Sequence, residues 1–201
     1  MTHDRNAVRK ILDQAKAAGR TALTAPEARG VCEAYGIAVP REGVASSAEQ
    51  AARLAADIGF PVVMKVVSPQ ILHKTEAGGV LVGLKSAEQV TQGYATIVGN
   101  ARKYDAKAEI LGVQVQQMLS GGQEVIIGAV TDPAFGKLVA FGLGGILVEV
   151  LKDITFRLAP ASSADALSML DGIAAAEILR GVRGTKPVDR TALANMIDAL
   201  G

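Results

Sequence analysis

The sequence predicts an α+β fold, and three features carry the prediction. Apolar stretches with a helical repeat are interspersed along the chain with short β-branched runs. Several helical stretches open on capping patterns, among them Thr24-Ala-Pro-Glu27 and two copies of Ser-Ala-Glu-Gln, at Ser47 and Ser86. Hydrophobic residues make up 49% and charged residues 20% of the 201, which supports a packed core and excludes general disorder.

The elements follow in order. Ala7, Val8, Ile11, Leu12 and Ala15 share one face of a helix over 5–18, and Gly19 ends it. Thr24 and Glu27 open the next helix, with Pro26 in its first turn, where a missing N–H costs nothing; Gly36 stops it after Tyr35. Pro40 marks an extended crossing into a new unit. The two Ser-Ala-Glu-Gln helices share capping grammar, and their similarity fades too quickly for an internal repeat. Between them, Pro61-Val-Val-Met-Lys-Val-Val67 reads as a buried strand and 80–84 as another; a helix spans 87–103. Val113 and Val115 alternate with Gln114 and Gln116 in a half-buried strand within 110–118. Strands at 124–131 and 137–142 flank the turn Asp132-Pro-Ala-Phe-Gly136. A Gly-rich bend leads to Phe156-Arg-Leu, and helices at 163–171, 174–180 and 189–200 close the chain.

The composition narrows function. A net charge of +1 argues against a general electrostatic grip on nucleic acid, and 3% aromatics with no Trp argue against a stacking platform for single strands. One cysteine, Cys32, makes no intrachain disulfide and no CxxC pair, so a reducing, cytoplasmic setting is expected. The polar Met1-Thr-His-Asp-Arg-Asn start is not a secretory signal. The longest stretch without polar side chains, Leu138–Val148, has eleven residues, against the roughly 20 that a membrane span needs.

Four places carry candidate chemistry. Lys65 interrupts an apolar strand; it is either a strand-end lysine that snorkels to water or a phosphate ligand. Directly after it, His73-Lys-Thr-Glu-Ala-Gly-Gly79 gathers an imidazole, an ammonium and a hydroxyl before paired glycines, which let backbone N–H groups approach phosphate. It fits neither the P-loop nor the dinucleotide fingerprint, and a lone histidine such as His73 is more often structural than catalytic, though its place between Lys65 and the glycine pair keeps the catalytic reading open. Gly142-Leu-Gly-Gly145, followed by Glu149, is either a bend or a backbone approach to ligand, and Glu124 is equally open.

Taken together, Leu23-Thr-Ala-Pro-Glu-Ala, Tyr35-Gly-Ile-Ala-Val-Pro40, Gly59-Phe-Pro-Val-Val-Met-Lys65, Ile71-Leu-His-Lys-Thr-Glu-Ala-Gly-Gly79 and Phe141-Gly-Leu-Gly-Gly-Ile-Leu-Val-Glu149 resemble the ATP-grasp domain of ADP-forming acyl-CoA synthetases. The family includes acetate–CoA ligase and relatives of succinyl-CoA synthetase β. The resemblance covers about residues 20–200 and implies an ATP-grasp fold, two α/β subdomains with nucleotide bound between them. It implies an N-terminal helix in 1–19, a small subdomain over 40–118, and a large one from 20–39 and 119–201. It implies the reaction acyl-CoA + ADP + phosphate ⇌ acid + ATP + CoA, with a phosphohistidine relay. By residue, it implies that Lys65 holds ATP phosphates, under a flap that brings Lys74, Thr75, Gly78 and Gly79. Gln116, Gln117 and Met118 match the adenine hinge, with Gln117 where the family usually has Glu. Glu124 matches an acidic nucleotide contact, Glu149 and Arg157 would support, and His73 matches the phosphoryl relay. Implied companions are ATP or ADP, Mg²⁺, a CoA-binding subunit or domain, and other copies of the chain.

One departure is large. The family continues into a Glu-x-Asn-Pro strand and a later Asp that supply Mg²⁺ ligands, and neither is in this sequence. The expectation is an ATP-grasp domain cut short at its C-terminus, without its own metal ligands and inactive alone. The competing expectation is a degenerate, non-catalytic ATP-grasp module that acts as a scaffold or regulatory partner.

Overall fold

A computed structural model describes residues 3–145, 152–182 and 184–200. The chain folds into two compact units, Met1–Leu119 and Ser120–Gly201.

The first unit begins with two helices, α1 (Arg5–Ala17) and α2 (Ala25–Ala34). Thr24 N and Oγ1 both donate to Glu27 Oε2, at 2.7 and 2.8 Å, and Arg20 binds the same carboxylate with two N–H groups. Then come β1 (Glu42–Ala45), α3 (Ala48–Ile58), β2 (Val62–Val67), β3 (Val80–Leu84), α4 (Ala87–Tyr104) and β4 (Gly112–Gln117). Ser47 and Ser86 each accept a hydrogen bond from the backbone N–H three residues on, at 3.2 Å, so both repeats of Ser-Ala-Glu-Gln act as caps.

The four strands form an antiparallel sheet in the order β1-β4-β2-β3. Val62, Met64 and Val66 of β2 join Val113 and Val115 of β4 in a core with Ala51, Ala55, Val90 and Ile97 of α3 and α4. Side chains alternate across a strand, so Val63, Lys65, Gln114 and Gln116 belong to the opposite face. The run 61–67 was expected to form a buried strand, and Val62, Met64, Val66 and Val67 are buried, while Val63 and Lys65 on the other face are partly exposed.

Two readings change. Strand β1 was not expected: four residues carry too little local pattern, and pairing with β4 defines it. Residues 20–39, expected with 119–201, lie in the first unit. The Arg29 guanidinium on α2 donates to the Glu42 carbonyl at 2.8 Å, which ties α2 to β1.

The second unit is a three-stranded antiparallel sheet, β5 (Val125–Asp132), β6 (Gly136–Leu143) and β7 (Ile154–Leu158), with α5 (Ser163–Gly172), α6 (Ala176–Arg180) and α7 (Arg190–Leu200). Asp132 Oδ1 accepts from the N–H groups of Ala134 and Phe135, which closes the turn between β5 and β6. Val139, Phe141 and Leu143 pack against Met169, Leu170 and Ile197 in a separate core. Among the described residues, no helix is long and apolar enough to cross a membrane.

Candidate functional site

The polar face of the first sheet carries most of the expected site. Lys65 stands on β2 opposite Gln114 of β4, and its Nζ donates to Gln116 Oε1 at 2.8 Å. Beside it lies a cleft of about 500 Å³ lined by Lys65, Leu72, His73, Lys74, Thr75, Glu76 and Val80. Lys65 and Lys74 also border a second hollow of about 310 Å³, reached by Glu42, Gln114, Gln116 and one face of α2. Two ammonium groups, a hydroxyl and an imidazole thus share one open trough.

The loop between β2 and β3 is a tight, anchored turn. Ile71 and Ala77 are buried and pin its two sides. Inside it, Gly79 N donates to Lys74 O at 2.8 Å, Gly78 N to Thr75 O at 3.0 Å, and Ala77 N to His73 O at 3.2 Å. Asn100 on α4 donates to Gly78 O at 3.0 Å. The glycines serve close approach. A Cβ on Gly79 would stand 2.6 Å from Val66 Cγ1, and Gly78 has φ +62° beside Asn100. His73 sits at the tip with its side chain 75% exposed; its Nδ1 is 4.0 Å from Glu76 Oε1. An imidazole so placed can be reached from solvent without any rearrangement of the core.

Of the residues expected to form an adenine hinge, Gln117 and Met118 have their backbone N–H groups bonded within the first unit. Gln117 N donates to Arg41 O at 2.8 Å, and Met118 N to Pro61 O at 3.3 Å. Gln117 Oε1 accepts from Arg41 N at 3.4 Å. Both backbone N–H groups are therefore already engaged inside the fold.

Glu124 and Arg157 belong to the second unit. The Glu124 carbonyl accepts from Gly144 N at 2.8 Å, and a Cβ on Gly145 would run into its carboxylate. The glycine pair thus makes room for Glu124. Arg157 donates to Ser168 Oγ at 3.0 Å and to Phe156 O at 2.8 Å, in an 880 Å³ cavity whose walls include Val130, Phe135, Phe156 and Leu158. That cavity is larger, but Arg157 is its single cationic side chain, so the chemistry favours the smaller cleft. Glu149 lies outside the described residues.

Sequence reasoning missed Glu42. Its carboxylate accepts from Gln116 Nε2 at 2.5 Å, but the two residues are 74 positions apart. No local pattern signals that pairing.

The sequence matches the ATP-grasp domain over residues 14–201. It is 49% identical over 193 residues to the β subunit of acetate–CoA ligase [ADP-forming] I of Pyrococcus furiosus, covering 96% of this chain and 83% of that subunit. The chain belongs to the ATP-grasp family of ADP-forming acyl-CoA synthetase β subunits. It is also 46% identical to the 4-hydroxybutyrate–CoA ligase [ADP-forming] of Nitrosopumilus maritimus, covering 96% of this chain but 28% of that longer one. Among solved structures it resembles the Ca. Korarchaeum cryptofilum dinucleotide-forming acetyl-coenzyme A synthetase 1, in complex with coenzyme A, Ca-AMPCP and HgCl⁺. The TM-score is 0.90 at 44% identity, covering 96% of this chain and 84% of that one.

The trough suits the phosphates of a nucleotide: Lys65 and Lys74 supply positive charge, and Thr75 a hydroxyl. It does not suit a resident divalent cation. Among the described residues, no group of three or more His, Cys, Asp or Glu side chains comes together.

Proposed function

We propose that this chain is the nucleotide-binding part of an ADP-forming acyl-CoA synthetase, and that it carries phosphoryl groups on His73. The carrying observation is the exposed His73 imidazole in the same cleft as Lys65 and Lys74. Phosphoryl transfer asks a protein mainly for positioning and charge neutralisation. A neutral imidazole nitrogen attacks the phosphorus of an acyl phosphate formed at the CoA-binding partner. An N–P bond forms as the acyl C–O–P linkage breaks at phosphorus, and the carboxylate leaves. A terminal oxygen of ADP then attacks the same phosphorus, the N–P bond breaks, and ATP and neutral imidazole result. Lys65 and Lys74 hold the phosphates and offset their charge, and Thr75 adds a donor. Mg²⁺ bound with the nucleotide would add to this charge neutralisation. Glu124 is read as an acidic contact to the nucleotide on the family resemblance alone. Gln116–Met118 borders the adenine through groups other than the Gln117 and Met118 N–H, which bond to Arg41 and Pro61.

The test is reconstitution with the CoA-binding partner. His73→Ala is expected to abolish ATP synthesis from acyl-CoA, ADP and phosphate, while acyl phosphate still forms on the partner. Labelled phosphate should appear on wild-type His73 as an acid-labile, base-stable adduct. ATP formation by the alanine variant at the wild-type rate refutes the relay.

A further inference from the structure

Glu42 opens β1, and its side chain is only 6% exposed. A carboxylate so far out of water needs a partner. Its Oε2 accepts from Gln116 Nε2 at 2.5 Å. The other end of the same amide, Oε1, accepts from Lys65 Nζ at 2.8 Å. The three residues stand side by side on β1, β4 and β2: Glu42 pairs with Gln116, and Gln116 neighbours the position paired with Lys65 by two. Arg29 on α2 holds Glu42 from behind, donating to its carbonyl at 2.8 Å with the guanidinium 4.0 Å from its Oε1.

The chemistry of the chain of contacts has one direction. A carboxylate only accepts, an ammonium only donates, and a primary amide has one end of each kind. Glu42 therefore decides which way Gln116 faces. If the amide turned over, its NH₂ would meet the ammonium and its oxygen would meet the carboxylate. Both contacts would then be lost at once.

We propose that Glu42 is a positioning residue for nucleotide binding: by orienting Gln116 it holds the Lys65 ammonium in place for phosphate. This rests on the reading of Lys65 as a phosphate ligand. Glu42 itself needs no contact with the nucleotide. A lysine held in one conformation loses less freedom when it meets its ligand, and that raises affinity. The Gln116 amide stands between the Glu42 carboxylate and the Lys65 ammonium, so the carboxylate aims the lysine without pairing with it directly.

The test uses the full 201-residue chain and ADP with Mg²⁺ in titration calorimetry. Lys65→Ala is expected to weaken binding at least about tenfold, and Glu42→Ala about fivefold. Glu42→Gln keeps an acceptor oxygen and should stay within about twofold of wild type. In the Lys65→Ala background, Glu42→Ala should add nothing. An equal loss from Glu42→Ala in both backgrounds, or none in either, overturns the proposal. The side-chain NH₂ signals of Gln116 in nitrogen-15-labelled protein give a ligand-independent reading. They should be displaced and slow to exchange in wild type and Glu42→Gln, and solvent-like in Glu42→Ala. Unchanged signals in Glu42→Ala overturn the orienting role whatever the affinities. Unchanged ADP affinity in Lys65→Ala overturns the phosphate reading, and with it any service of Glu42 to the nucleotide. The amide signals tell that failure apart from failure of the Glu42–Gln116 contact.

Discussion

Gly79 shows how one residue ties the site to the core. Its N–H closes the turn onto Lys74, and its carbonyl accepts from Val66 N at 2.8 Å. Its missing side chain leaves space that Val66 and the Lys74 carbonyl fill, at 2.6 and 3.1 Å from where a Cβ would sit. Val66 is fully buried and β-branched, so it cannot swing aside. Gly79→Ala should therefore cost about 1–3 kcal/mol, the usual penalty for overpacking. Urea unfolding measures it, and a stability equal to wild type would show that the turn gives way easily. Gly78 and Gly79 both serve close approach. They let the loop lie close to β2 and α4, and it is the position of His73 at the tip that exposes it.

At the scale of an element, the start of α2 is a compact electrostatic cap. The Arg20 guanidinium, together with the Thr24 N–H and hydroxyl, holds the Glu27 carboxyl down from its ordinary 4.5 to about 2, against the upward push of burial. A carboxylate with a lowered folded-state pKa contributes stability that is fully present above the unfolded value. That stability is lost as pH falls from about 4.5 to about 2. Both partners are about a quarter exposed, so solvent screening keeps the contribution to about 1 kcal/mol at most. Glu27→Gln should lower stability by that order at pH 7, and the deficit should vanish as pH approaches 2 in denaturant titrations. A deficit undiminished at pH 2 would mean that the carboxylate charge is not its source. This cap was legible in the sequence because Thr24 and Glu27 are three residues apart. So were the helices capped by Ser47 and Ser86, and the turn at Asp132. Strand β1 and the Glu42–Gln116–Lys65 contacts were not, because their partners are far apart in the chain and only strand pairing brings them together. Lys65, His73 and Lys74 were legible because the strand and the loop that carry them are contiguous. The placement of 20–39 was not, since nothing local to α2 announces its contact with β1.

At the scale of the whole molecule, the described residues form two hydrophobic cores that share no residue. One gathers Met64, Val66, Ile97 and Val115, and the other Phe141, Leu143, Met169 and Leu170. Side chains that pack only within their own core stabilise only the unit they fill, unless something further couples the two. Phe141 is the test case, fully buried on the central strand of the second sheet. Phe141→Ala removes a whole aromatic ring from a closed interior, a change that typically costs about 3–5 kcal/mol. Amide hydrogen exchange followed along the chain should then show β5 and β6 opening far more often, with β2 and β4 keeping their wild-type protection. The cleft of Lys65, His73 and Lys74 lies wholly in the first unit, so its phosphate contacts should outlast that opening. Equal loss of protection in β2 and β6 would instead show one cooperative unit, in which damage at Phe141 reaches the lysines as well.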